Sequence, residues 1–176
     1  MHILLGLLAA IAAAAFWLYR AQAAREQARE ILDGANDVRL AARRLLYKRK
    51  HNTHPADSVE DPRLAAAGIM VAVATMDAPI SQTEIATMTR LMSETFDINE
   101  REALDMVSFG RWVADECGTN DEAVRRLAKV VAQEAGPDAG PDLIRMATEV
   151  AAAEGGALGD DENYALDQLR KALKME

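Results

Sequence analysis

The chain contains 176 residues with a formal net charge of −8, and half of its residues are hydrophobic. It has only five prolines, ten glycines and eight aromatic side chains, a composition that favours an all-α protein over one built on a β-sheet. The length allows one domain of ordinary size and an additional segment. The negative charge disfavours general nucleic-acid binding, because phosphate would meet like charge.

The charge is divided unevenly along the sequence. Residues 1–19 have no charged side chain, and residues 20–50 have nine Lys and Arg against four Asp and Glu. Residues 51–176 have eleven Lys and Arg against twenty-four Asp and Glu. A basic segment next to an acidic domain suggests that the basic segment faces anionic lipid and that the domain does not.

Residues 3–19 are uncharged and just long enough to cross a bilayer as a helix, which takes about 17–25 apolar residues. Trp17 and Tyr19 lie at the end of this segment, where aromatic anchors are typical. Lys and Arg follow the segment, so the positive-inside rule places the N-terminus outside and the remaining chain in the cytoplasm. A cleaved signal peptide is the alternative, because residues 21–23 resemble a cleavage site. We expect residues 1–19 to be an uncleaved transmembrane anchor in a bacterial inner membrane.

Residues 20–50 have the pattern of a basic amphipathic helix that continues from the anchor. One apolar stripe recurs at helical spacing, and it consists of Ile31, Ala35, Val38, Ala42 and Leu45. The basic residues that end the segment are Arg43, Arg44, Lys48, Arg49 and Lys50. We expect these two sets to bind a partner helix or anionic lipid, although a solvated charged face is the alternative for the basic residues.

Residues 51–60 are polar, contain one proline and show no periodicity, so we expect a linker. His51 and His54 are close together in this segment. No other soft ligand lies near them in the sequence, and we therefore expect exposed linker histidines rather than a metal site.

Residues 61–176 predict an all-α domain, because helix-capping patterns divide this part of the chain into regular segments. Asp61 precedes a first-turn proline, and the pairs Ser81–Glu84 and Thr119–Glu122 have the spacing of capping boxes. Sustained alternation of strand type is absent from the sequence, so no sheet is expected. The predicted helices cover residues 62–76, 82–95, 100–116, 120–135, 141–154 and 160–174.

The predicted domain contains an internal repeat of two units. In each unit a helix rich in small residues is followed by an acidic turn, an apolar residue and a capped helix. Residues 64–84 form the first unit, and residues 143–162 form the second with one extra residue in its turn. We expect the two small-residue helices to be buried against each other about a pseudo-twofold axis.

These repeated turns resemble the TerB-like domain of tellurite-resistance proteins, over roughly residues 61–176. The resemblance is carried by MDAPISQTE at 76–84 and AEGGALGDDE at 153–162. A similar domain lies in the cytoplasmic part of the membrane-anchored co-chaperone DjlA, whose J domain has no counterpart in this sequence. The resemblance therefore implies a bundle of about six helices and a role in tellurite or stress resistance.

The resemblance also implies a divalent-cation site, for Ca²⁺ or Mg²⁺, made by acidic residues at the turns. By motif position, its ligands would be Asp77, Glu84, Glu154 and Glu162. This sequence departs from the pattern, since Ala78 replaces the usual glycine and a glutamate replaces the second aspartate. Each departure alters the positions of the oxygen ligands that a hard cation requires. The alternative is a structural role, in which Glu84 and Glu162 cap helix starts and Asp77 and Glu154 close helices and accept hydrogen bonds from the next turn.

Motifs for common enzyme chemistry are absent from the sequence, including phosphate loops, HExxH, CxxC and nucleophile elbows. The single cysteine, Cys117, fits a small core residue. We therefore expect a protein that is not an enzyme. The sequence favours a membrane-anchored interaction domain, acting as an adaptor or an accessory subunit of an inner-membrane complex. The alternative is a metal-binding stress protein that uses the acidic turns.

Overall fold

The computed structural model describes residues 54–155 and 157–174, and the helices in this part of the chain confirm the predicted all-α class. A 3-10 helix, Pro55–Ser58, precedes the first α-helix, and a second one, Pro137–Ala139, precedes the fifth. The described residues contain six α-helices and no strand. They are α1 (Pro62–Ala74), α2 (Gln82–Phe96), α3 (Glu100–Glu116), α4 (Asn120–Glu134), α5 (Gly140–Ala151) and α6 (Asp160–Ala172).

The helices begin where the capping patterns predict. The Asp61 carboxylate accepts a hydrogen bond of 2.9 Å from the backbone N–H of Arg63 at the start of α1. The Thr119 hydroxyl accepts one of 3.2 Å from the N–H of Glu122 at the start of α4. These side chains replace hydrogen bonds that the first turn of a helix cannot make within itself. Local capping therefore fixes the division of the domain into helices.

Helix α1 is the centre of the domain. Every residue from 64 to 74 is buried, and the helix packs most extensively against α3 and α4, with further contacts to α2, α5 and α6. Its side chains are apolar and mostly small, so neighbouring helices can approach it from nearly every direction. The core of the domain is therefore arranged around α1.

The second small-residue helix does not have the same environment. Helix α5 buries one face, but Asp142, Arg145 and Glu149 on its other face are exposed. The expectation that both small-residue helices are buried is therefore wrong for α5, which keeps one face exposed. Helix α5 is an ordinary amphipathic surface helix, and α1 packs more extensively against α3 and α4 than against α5.

The segment predicted to be a linker, residues 51–60, contributes to the core. Ala56 and Val59 are buried, and the 3-10 helix Pro55–Ser58 packs against α3 and α4. His54, predicted to be an exposed histidine, is half-buried, and its Nδ1 accepts a hydrogen bond of 3.2 Å from the N–H of Ala56. Packing against the helices thus begins before residue 61, because the two apolar residues of this short segment are buried against the helical bundle.

Helices α1 and α3 cross at two glycines, Gly68 and Gly110. A Cβ added to Gly110 would lie 2.6 Å from the carbonyl carbon of Ala67 and 2.7 Å from the backbone nitrogen of Gly68. A Cβ added to Gly68 would meet side chains instead, 2.6 Å from Leu127 Cδ1 and 3.0 Å from Val113 Cγ1. The backbones touch at Gly110, so this position has no room for a side chain.

The structure locates no membrane span within the residues that it describes, since none of their helices is both long and apolar enough to cross a bilayer. The predicted anchor of residues 1–19 and the predicted amphipathic segment of residues 20–50 lie outside the described residues. The same is true of His51.

We predict that Gly110→Ala destabilises the domain by about 2 kcal/mol or more, because the added methyl group forces two helix backbones apart. Gly68→Ala is the matched control, since it adds the same methyl group at the same crossing against movable side-chain ends. Urea unfolding of the full-length chain in mild detergent measures both effects. Equal stabilities of the two variants would show that the crossing at Gly110 is not a close backbone contact.

Candidate functional site

The first acidic turn joins α1 to α2. Helix α1 ends at Ala74, and the chain turns through Asp77, which is exposed, to Ile80, which is buried in the core. The buried Ile80 holds the turn against the domain, and Leu158 does so less completely in the second turn, where it is partly buried. The predicted apolar residue of each turn therefore packs inward.

Glu84 lies at the start of α2 and is only 8% exposed. Its Oε2 accepts a hydrogen bond of 2.7 Å from the backbone N–H of Ser81, and the Ser81 hydroxyl accepts one of 3.2 Å from the N–H of Glu84. This reciprocal pair is the predicted capping box. Glu84 thus has a structural role at the start of the helix, and its carboxylate is largely withdrawn from water.

The electrostatic environment of Glu84 connects the two turns. Burial raises the pKa of the Glu84 carboxyl, and the negative charges of Glu154 and Asp77 raise it further, whereas the hydrogen bonds with Ser81 act in the opposite direction. Burial disfavours the ionised form because the charge loses its hydration, and nearby like charges add to that cost. Two of the other three carboxylates predicted to form a metal site therefore act on Glu84.

The fourth carboxylate, Glu162, caps its own helix. Its Oε2 accepts a hydrogen bond of 2.7 Å from the N–H of Gly159, and Asn163 donates to the carbonyl oxygen of Gly159 at 2.9 Å. Gly159 has no side chain to return the first hydrogen bond, so only half of a capping box forms. Glu162 is half-buried, and Asp160 and Asp161 beside it are exposed.

The carboxylates are not gathered into a ligand set in the part of the chain that the structure describes. Within residues 54–155 and 157–174, no three His, Cys, Asp or Glu side chains are grouped as they would be around one metal ion. The cation site of Asp77, Glu84, Glu154 and Glu162 stays a prediction. The capping role predicted as its alternative is directly visible at Glu84 and Glu162.

A cleft of about 430 Å³ lies beside the first acidic turn. It is lined by the end of α1, by the turn itself and by residues of α3 and α4, namely Val71, Thr75, Met76, Asp77, Ala78, Pro79, Ile80, Arg111, Asp115 and Asn120. Burial raises the pKa of the Asp115 carboxyl, while the positive charge of Arg111 lowers it. Both charge signs and several apolar side chains therefore meet in one recess, which we call the turn cleft.

Asn120 fixes one wall of the turn cleft. Its Nδ2 donates a hydrogen bond of 2.8 Å to the carbonyl oxygen of Thr75, and the Thr75 hydroxyl donates one of 2.8 Å to the carbonyl oxygen of Val71. The end of α1 is thereby joined to the start of α4. Sequence reasoning missed Asn120, Arg111 and Asp115, because their proximity to the turn arises from helix packing and leaves no local pattern.

Cys117 has the environment of a core residue, as predicted. It is buried at the end of α3, and its thiol donates a hydrogen bond of 3.2 Å to the carbonyl oxygen of Val113. Burial raises the pKa of the thiol to about 11. Since the thiolate is the nucleophilic form, this cysteine is poorly suited to catalysis or metal binding at neutral pH.

Comparison with known proteins identifies one family. The model of the family described as "Tellurite resistance protein TerB" matches residues 63–176, which is more than half of the chain. This match confirms the resemblance drawn from the two acidic turns. No curated protein and no solved structure gives a significant match.

We predict that Glu84→Gln changes the pH dependence of stability. The pKa of Glu84 is raised in the folded state, so the folded chain binds this proton at a higher pH than the unfolded chain does. The wild-type chain should therefore gain stability relative to Glu84→Gln as the pH falls from 7 into the carboxyl range. At neutral pH the wild type should lack that gain.

Urea unfolding of both chains at a series of pH values measures this difference, and Glu162→Gln is the comparison variant at the second turn. A difference in unfolding free energy between wild type and Glu84→Gln that stays constant with pH, or that favours the wild type as pH rises, would contradict the prediction.

Proposed function

Because this chain belongs to the family of the tellurite resistance protein TerB, we propose that its helical domain, residues 61–176, is a non-catalytic protein-interaction domain. In this proposal the protein is an adaptor or an accessory subunit of a complex in the bacterial inner membrane. Residues 1–19 are the single-pass anchor, with the N-terminus outside and the domain in the cytoplasm. The basic residues of 20–50 lie near anionic lipid, which their charge favours.

The turn cleft is the observation that carries this proposal. A partner segment bound there would contact apolar surface at Met76 and Pro79 and would find charged groups at Asp77, Arg111 and Asp115. Protein interfaces combine an apolar centre with polar groups that fix the orientation of the partner. The hydrogen bond from Asn120 to Thr75 holds one wall of the turn cleft in place. Because this wall is already ordered, binding of a partner would cost less conformational entropy.

We predict that a stoichiometric companion protein is recovered when the chain is purified gently from native membranes through a tag placed after Glu176. Asp77→Lys should weaken this recovery, because it reverses an exposed charge at the mouth of the turn cleft. Asp167→Lys, which reverses an exposed charge on α6, is the matched control and should retain the companion. Recovery of the wild-type chain alone would count against an adaptor or subunit role.

The second candidate function is metal binding in a stress response, and the environment of Glu84 favours it. The charges of Glu154 and Asp77 both act on this buried carboxylate. A divalent cation bound close to Glu84 would offset the repulsion that these two charges exert on it, and Ca²⁺ and Mg²⁺ prefer such oxygen ligands. In this proposal, cation binding joins the two acidic turns and stiffens the packing between them.

We predict that calorimetric titration of the full-length chain in detergent with Ca²⁺ or Mg²⁺ gives a binding signal at about 1 mM or below, the weak end of protein calcium sites. The double variant Glu84→Gln, Glu154→Gln should lose this signal, whereas Glu100→Gln, at an exposed helix start, should keep it. If the titration gives no heat and the chain shows no thermal shift up to that concentration, the metal-binding function is excluded. That result would not bear on the interaction function.

A further inference from the structure

An apolar groove lies at the opposite end of α1 from the turn cleft, near the start of the helix. It has a volume of about 120 Å³ and is lined by Pro62, Arg63, Ala66, Thr95, Phe96, Val131, Ala135, Ala139, Asp142, Leu143 and Met146. An apolar cavity of roughly 150 Å³ is large enough to bind benzene. At about 120 Å³ the groove is somewhat smaller than that, and it has room for one branched aliphatic side chain from another segment.

The groove lies close to the point where the preceding chain enters the domain. The described chain begins at His54, and Pro62, eight residues later, is part of the groove wall. Leu45 precedes His54 by nine residues, which can extend over about 30 Å. The apolar stripe of residues 31–45 can therefore reach the groove from its own chain.

The charge around the groove complements the charge of that segment. The exposed carboxylates of Glu134 and Asp138 are adjacent in sequence to the lining residues Ala135 and Ala139, and Asp142, which lies 3.7 Å from Arg145, is itself part of the lining. Arg63, the one cation of the lining, is paired with Asp61 at 2.9 Å. Residues 43–50, by contrast, contain five Lys and Arg and no Asp or Glu. Attraction between the two sets would orient the segment along the groove.

We propose that residues 31–50 dock on the apolar groove of their own chain, with one side chain of the apolar stripe, Val38, inserted between α1, α4 and α5 and the rest of the stripe facing the domain surface. The basic residues at 43–50 lie along the acidic rim and extend beyond it. This cis contact places the domain directly against the basic segment instead of at the end of a free tether. It is independent of the partner proposed for the turn cleft, which lies at the other end of α1.

We test the docking by cross-linking engineered cysteines in the full-length chain in phosphatidylglycerol nanodiscs. The test pair is Leu45→Cys with Ala135→Cys, an exposed position on the groove. The control pair is Leu45→Cys with Ala86→Cys, an exposed position on α2 outside the groove. With a short bismaleimide, the test pair should form an intramolecular link about tenfold faster, because docking raises the local concentration of the two thiols.

A further pair of variants separates docking from simple proximity. Adding Ile31→Asp and Val38→Asp to the test pair should reduce its rate to that of the control pair, because the stripe then carries charge into an apolar groove. The buried Cys117 is common to all the chains and contributes the same background. Equal rates for the test and control pairs would overturn the proposal. A link found only between two copies would overturn it as well, because a second chain would then occupy the groove.

Discussion

Burial of α1 is the constraint on which the rest of this structure depends. A helix whose residues from 64 to 74 are all buried must be covered by neighbours on every side, and the remaining helices cover it. Small side chains make this possible, since they let α3 approach until the backbones meet at Gly110. The positions of the acidic turn and the turn cleft follow from this arrangement, because both lie at the end of α1.

The division into helices could be predicted closely because it is encoded locally. Ser81 and Glu84 satisfy the first turn of α2 within four residues of sequence, so their pattern is sufficient to locate the start of the helix. The environment of α5 could not be predicted in the same way. Its small residues suggested burial on all sides, but Arg145 and Glu149 on its outer face decide that it lies on the surface. Which face meets which neighbour is a property of the whole bundle.

The candidate site was predictable only in part, for a similar reason. Glu84 and Asp77 lie on a repeated motif, and the motif led to them directly. The influence of Glu154 on Glu84 depends on how the second turn folds back onto the first, which is a long-range feature. Arg111 and Asn120 reach the turn cleft from two other helices. The family match covers the helical domain and leaves these individual contacts to be established by the geometry of this chain.

The short 3-10 helix at Pro55–Ser58 has a mechanical consequence. Ala56 is buried, and Asp57 is joined to Arg126 of α4 by an ion pair of 2.7 Å. Tension applied through the preceding chain would act on these two contacts before it acted on α1. The ion pair would have to break and Ala56 would have to become exposed before tension could act on the helix around which the domain is built. The entering chain is thus joined to α4 and to the core before it reaches the central helix.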